Sequence, residues 1–157
     1  MDIIIRLVLV PVDFGPLSEK VLDFAHAVAS GPHAKVHLLH VLEQPFMTSG
    51  PYEFLVPDSP VRRERLYARA RTRLSAMAEK LRLEGVATTA EVRTGTVSDQ
   101  IVMAAIDYGA DLVVIGKREH GSLHHVLRGG IREQVSRRVS CPMLIVRDHG
   151  GAKMAAA

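Results

Sequence analysis

Apolar positions along the chain follow two rhythms in turn. Ile3, Ile4, Ile5, Leu7, Val8, Leu9, Val10 and Val12 form a nearly unbroken run of β-branched and leucine side chains, the pattern of a strand buried on both faces of a parallel sheet. Pro16 and Ser18 follow, and Leu17, Val21, Leu22, Ala25, Val28 and Ala29 recur at helical spacing until Gly31 and Pro32 end the pattern. Ala34, Val36, Leu38, Leu39 and Val41 predict a second strand. From Glu43 to Pro60 the chain carries Pro45, Gly50, Pro51, Pro57 and Pro60, which interrupt any ladder or helix and predict a long, mobile loop. Leu66, Ala70, Leu74, Met77 and Leu81 then mark one face of a long helix closed by Gly85, with Arg65, Arg71, Glu79 and Arg82 on the opposite face.

A third strand is predicted over Val86 to Val92. Gly95 and Thr96 lead into a helix through Ile101, Val102, Ala105 and Ile106 that ends at Gly109, with Thr96 or Ser98 as its cap. Leu112 to Ile115 reads as a central strand ended by Gly116, Ile131, Val135 and Val139 as a last helix, and Pro142 to Val146 as the last strand. Strands alternating with helices predict a doubly wound α/β domain with helices on both faces of a parallel sheet, because parallel neighbours need right-handed crossovers. This domain is expected to span 1–148, with a disordered tail of small residues over 149–157.

Composition narrows the field. A chain of 157 residues, 47% hydrophobic and 24% charged, suits a single core and excludes a disordered or collagenous protein. Cys141 is the one cysteine, so no intramolecular disulfide forms, and the N-terminus lacks a secretory design; both point to the cytoplasm. The first apolar run is broken by Arg6 and falls short of the ~20 residues of a membrane span. No membrane partner is expected. Net charge is +3 and there is no Trp, so nucleic acid is not indicated either. The arginines between Arg62 and Arg73, diluted by Glu64, Glu79 and Glu84, read as a solvated helix face in preference to a site for an acidic partner or membrane.

In open α/β sheets, ligands bind beyond the carboxyl ends of the strands, where the strand order reverses. The first strand ends in Pro11, Val12, Asp13, Phe14 and Gly15. Asp13 can accept from a ribose hydroxyl or an adenine amine, or serve as a turn residue that accepts a nearby backbone N–H. After the fourth strand come Gly116 and Gly121, then Gly129 and Gly130 directly before a helix. Turn-making explains each singly; their clustering points to amides offered to an anion. Neither a GxGxxG nor a Walker loop is present. His120, His124 and His125 lack a carboxylate or thiol at ligand spacing and read as surface histidines, and Cys141 as a buried, inert thiol.

Three segments, VPVDFGPLSEKVLDFA, VHLLHVLE and DLVVIGKREHGSLHHVLRGGIREQVSRRVSCPMLIV, resemble the universal stress protein family from Leu7 to Val146. The resemblance implies a five-stranded parallel sheet of order 3-2-1-4-5, homodimers through the last strand, and, in one branch, ATP at the crevice between the first and fourth strands. That branch carries Gly, two residues, Gly, nine residues, Gly, then Ser or Thr. Gly116 and Gly129 match its first and third glycines, and Gly121 a further glycine frequent in the loop. Pro11 and Asp13 match residues of the adenosine pocket and Val41 the strand end that meets adenine, with Val12, Gly130 and Ile131 completing the expected contacts. The implied ligand is ATP or another adenine nucleotide, with Mg2+ as a companion.

The match departs at two positions: Glu119 stands where the second glycine belongs, and Gly130 where Ser or Thr belongs. A carboxylate ~4 Å from a phosphate costs about 1 kcal/mol with water-like screening and about 4 at an effective dielectric near 20. A lost hydroxyl bond costs roughly 0.5 to 1.5 kcal/mol. Two readings therefore stand: an adenine-nucleotide sensor or switch, and a nucleotide-free dimeric scaffold of the same family. No residue set supplies a catalytic base, so at most slow ATP hydrolysis is expected. Met143, Leu144, Ile145 and Val146 form an apolar terminal strand whose open edge a second copy would cover.

Overall fold

A computed structural model describes residues 4–43, 59–117 and 130–147. Nine elements follow in order: β1 (Leu7–Pro11), α1 (Ser18–Val28), β2 (Lys35–Leu42), α2 (Pro60–Leu83), β3 (Ala87–Thr94), α3 (Val97–Tyr108), β4 (Leu112–Lys117), α4 (Ile131–Ser136) and β5 (Met143–Arg147). The strands form one parallel sheet in the order β3-β2-β1-β4-β5, as the sequence reading expects. The expected tail lies outside the described residues, as does the expected loop apart from Glu43, Ser59 and Pro60.

Strand alternation explains why the apolar runs are nearly continuous. Val8 and Val10 point to one face of the sheet with Val36, Leu38 and Val114, where α1 and α2 cover them through Leu22 and Leu74. Leu9 points to the other face with Leu39, Val113 and Ile115, under Ile101 of α3 and Val135 of α4. Two cores thus share one sheet, and each buried apolar residue of β1, β2 and β4 belongs to one or the other. β5 closes one side of the sheet; its Val146 is buried while Ile145 is 39% exposed.

Several element boundaries differ from the sequence expectation for local reasons. β1 starts at Leu7, because the Asp111 carboxylate takes the N–H groups of both Arg6 and Leu7 at 2.8 and 2.9 Å; Ile4 is left 66% exposed. Pro60 opens α2 instead of ending the loop. Ser59 Oγ accepts from Arg62 N–H at 3.1 Å, and a proline at the first helical position loses no intrahelical bond. Thr96 sits at the N-cap of α3 without a side-chain cap bond, and Ser98 Oγ donates instead to Gln134 Oε1 at 2.8 Å, tying α3 to the chain around α4. Gly116 does not end β4; it lies within the strand, paired with Val146.

One polar cluster interrupts the face covered by α3. His37 is 2% exposed, and its Nε2 lies 3.3 Å from Glu91 Oε2. An ionised carboxylate only accepts, so Nε2 carries the proton and Nδ1 accepts from Thr89 Oγ1 at 2.7 Å. Tyr108 stacks on the imidazole at 4.0 Å and donates its hydroxyl to Glu91 at 3.0 Å. Arg93 bridges Glu91 and Asp107 at 3.1 and 2.9 Å. The cluster fastens β3 to β2 and to the last turn of α3. Burial holds the His37 imidazole below its ordinary 6.5, against the opposing pull of Glu91. Burial also opposes ionisation of Glu91, but its bonds from Arg93, Tyr108 and His37 prevail and hold the carboxyl below its ordinary 4.5.

Two outcomes follow. Leu9 is fully buried in the central strand, so Leu9→Ala lowers stability by about 3 kcal/mol and Tm by roughly 6 to 12 °C, read by thermal unfolding. Leu83→Ala, at a position 80% exposed, changes little. For pH, the unfolded chain binds a proton at His37 more readily than the folded one. Stability therefore falls as pH drops below about 6.5, by at most about 1.4 kcal/mol per pH unit for this one proton. Urea unfolding at successive pH values reads this slope, and His37→Gln flattens it; an unchanged slope would exclude the assignment. Glu91 acts only lower, below its ordinary 4.5.

Candidate functional site

β1 is the shortest reach of the sheet at its carboxyl end. Its ladder with β2 runs from Leu7 opposite Lys35 to Pro11 opposite Leu39, and the Val12 N–H adds one last bond to Leu39 O at 2.8 Å. β2 continues to Leu42 alongside β3, and β4 continues to Lys117 alongside β5. Its ladder with β1 reaches only Leu9 opposite Val113. A notch opens between the two longer neighbours. Because strand residues two apart present their peptide groups to the same side, Val41, like Leu39, turns its N–H and C=O toward the space that β1 has vacated.

The turn after β1 forms one lip of this notch. Asp13 Oδ1 accepts from Gly15 N–H at 2.8 Å, which is the turn role anticipated as one of its two readings. Phe14 has φ +58, a left-handed conformation that bulky residues adopt only when their surroundings enforce it. Its ring stacks on His40 at 4.2 Å, and the Arg73 guanidinium of α2 covers the ring at 4.3 Å. His40 Nδ1 donates to Val12 O at 2.7 Å, since a carbonyl only accepts. The turn is thus pinned from β2 and from α2 together.

The notch is the mouth of a crevice of about 630 Å³, a size suited to a small-molecule ligand. Pro11, Val12 and Asp13 line it from β1, Val41 from β2, Gly116 from β4, and Gly130 and Ile131 from the start of α4. These seven expected site residues come together; Gly121 and Gly129 lie outside the described residues, together with Glu119, His120, His124 and His125. The crevice walls also include Leu17, Ser18, His40, Glu43, Ile101, Ile115 and Arg132, which the sequence reading did not single out. Position was the available signal: His40 and Glu43 flank Val41, Ile115 precedes Gly116, and Arg132 follows Ile131.

Its two described glycines serve packing as well as access. A Cβ on Gly116 would meet Val21 Cγ2 at 3.2 Å and Leu17 Cβ at 3.6 Å, so the missing side chain lets α1 approach β4 closely. A Cβ on Gly130 would lie 2.7 Å from Glu133 Oε2. That contact is with the tip of an exposed side chain, which a Ser or Thr at this position would displace at little cost. Ser18 Oγ is buried without a hydrogen-bond partner among the described residues. Among the described residues, no group of three or more His, Cys, Asp or Glu side chains could hold a metal ion, and no helix is long and apolar enough to cross a membrane. Burial pushes the Cys141 thiol above its ordinary 9.0, which keeps it protonated and unreactive at neutral pH.

Comparison with known proteins agrees with this architecture. The sequence pattern of the Universal stress protein family matches residues 5–147. Universal stress protein G of Shigella flexneri is 32% identical over 144 residues, covering 90% of this chain and 99% of that protein. Among solved structures, MJ0577, from Methanocaldococcus jannaschii, superposes with a TM-score of 0.75 at 23% identity, over 93% of this chain and 98% of that one. A universal stress protein in complex with cAMP gives a TM-score of 0.63 at 21% identity, over 91% and 97% of the two chains. One from Archaeoglobus fulgidus in complex with dAMP gives 0.61 at 20%, over 92% and 99%. At these identities the structural likeness establishes a shared fold.

Proposed function

Because the chain belongs to the universal stress protein family, we propose that it binds an adenine nucleotide in the crevice at the carboxyl end of β1 and β4 and acts as a nucleotide-dependent sensor or switch. What carries this reading is the convergence of Pro11, Val12, Asp13, Val41, Gly116, Gly130 and Ile131, drawn from four separate stretches of sequence, onto one crevice. The cAMP and dAMP complexes of two proteins of the same fold support it. In this reading the aliphatic wall of Leu39, Val41 and Ile115 takes the faces of the base by dispersion and apolar burial. The Val41 peptide groups meet the polar edge of the base, and Asp13 accepts from the ribose. Gly116 and Gly130, with Gly121 and Gly129 of the intervening segment, offer backbone N–H groups to phosphate. The reading includes a cytoplasmic homodimer through Met143, Leu144, Ile145 and Val146, whose strand closes the sheet with one edge unpaired in the single chain.

Asp13→Asn is the direct test of the nucleoside contact. Asparagine keeps an oxygen for Gly15 N–H while removing the charge that accepts from the ribose. Titration calorimetry with AMP and ATP is expected to show about tenfold weaker binding or more, on the scale of a hydrogen bond to a charged group, with Tm nearly unchanged. Wild-type protein that purifies without nucleotide and gives no heat with either ligand would instead support the nucleotide-free dimeric scaffold.

Glu119→Gly tests the motif departure. Removing a carboxylate beside the phosphates raises ATP affinity by about fivefold or more, the equivalent of ~1 kcal/mol of relieved repulsion. Unchanged or weaker ATP binding by calorimetry removes the repulsion from the account.

A further inference from the structure

α2 is 24 residues long, yet its buried residues begin only at Ala70 and continue through Leu74, Ala78 and Leu81. Arg73 stands level with Phe14 at the crevice lip. The turns before Ala70 therefore lie toward the carboxyl edge of the sheet, where, among the described residues, partly buried Tyr67 packs on the core. This stretch is rich in arginine and contains no lysine. Arg62, Arg65, Arg69 and Arg73 are all exposed and recur at intervals of three, four and four residues, which puts them on one stripe about 16 Å long. None of the four forms an ion pair among the described residues. Glu64, the single acidic residue between Pro60 and Ala78, falls on the other flank by helical spacing.

This arrangement opposes the helix that carries it. Arginines three and four residues apart repel one another. The first turn holds no acidic residue but does hold Arg62, against the positive end of the helix dipole. Among the described residues no carboxylate offsets this repulsion at Arg62, Arg65 or Arg69, and Arg73 has only the Phe14 ring; a surface that violates local preference in this way is where a functional contact is expected. We infer that this arginine stripe docks an acidic helical segment of a partner protein, whose carboxylates pair with the guanidiniums and whose apolar side chain covers Leu66. Leu66 is 44% exposed and lies within the stripe, between Arg62 and Arg69. The guanidinium fork pairs with carboxylates in bidentate fashion. An apolar side chain amid the charges favours a protein partner over a phosphate backbone. Val61 and Leu66 fall on different sides of the helix, so they form no apolar face able to enter a bilayer.

The test uses the full chain and a fluorescein-labelled synthetic helical peptide that carries glutamates at alternating three- and four-residue spacing around one leucine. Its binding is read by fluorescence anisotropy, and Arg62→Glu with Arg69→Glu is expected to weaken it about tenfold or more. That double reversal replaces repulsive pairs in α2 by attractive ones, so Tm holds or rises and lost binding is not lost folding. Lys35→Glu with Arg137→Glu makes the same change in net charge at exposed positions elsewhere and leaves binding within about twofold. Leu66→Ala weakens it severalfold. Equal losses in the two double variants, no binding of the peptide, or tighter binding of duplex DNA or phosphatidylserine vesicles at the same ionic strength would each overturn the inference. Nucleotide titrations are unaffected by the reversal, so the outcome is independent of the crevice reading.

Discussion

The early end of the central strand is the constraint on which the crevice depends. β1 stops at Pro11 while β2 runs on to Leu42 and β4 to Lys117, and the last bond between β1 and β2 is Val12 N–H to Leu39 O. Were β1 two residues longer, its peptide groups would pair with those of Val41 and the notch would close. The shortness of β1 is stable because the chain beyond it is held by other means. Val12 is buried in the core beneath α1 and α2, its carbonyl accepts from His40, and the Asp13 carboxylate closes the turn on Gly15. Backbone groups that leave the ladder are taken up by side chains.

That turn also carries the one non-glycine residue with positive φ among those described, Phe14. Such a conformation persists only when neighbouring contacts over-determine it. His40 of β2 and Arg73 of α2 supply them, both in contact with the ring. The lip of the crevice is therefore not a free loop. Its geometry is shared with a helix whose buried residues begin at Ala70, and α2 is in turn tied to α1 through the ion pair of Lys80 with Glu19.

Much of this architecture was legible in the sequence because periodicity reports burial directly. The near-continuous apolar runs of β1 and β4 could only be strands covered on both faces, and the glycine-marked ends of α2 and α3 were sound because Gly85 and Gly109 both adopt positive φ. Residues whose role depends on a partner distant in sequence were harder. Nothing near Ile4 announces that Asp111 claims the N–H groups of Arg6 and Leu7. Nothing near Ser98 announces Gln134, so a helix cap was expected where an interhelical bond forms. Pro60 was misplaced because proline is forbidden within a helix but favoured at its first position, and only the bond from Ser59 separates the two cases. Of the candidate site, the residues with a matching motif were legible, whereas His40 was not, since its part is defined by what stacks on it.

Gly130 and Glu133 form a single feature at the far side of the crevice. A side chain at 130 would collide with Oε2 of Glu133, and the glycine gives the carboxylate room to fold back toward the start of α4. A negative charge in a first helical turn is electrostatically favoured there. The same charge stands beside the crevice wall, where Arg132 supplies the neighbouring cation. In the proposed reading, a phosphate held by the Gly130 N–H would meet both charges, and the exposed Glu133 side chain has solvent to swing into.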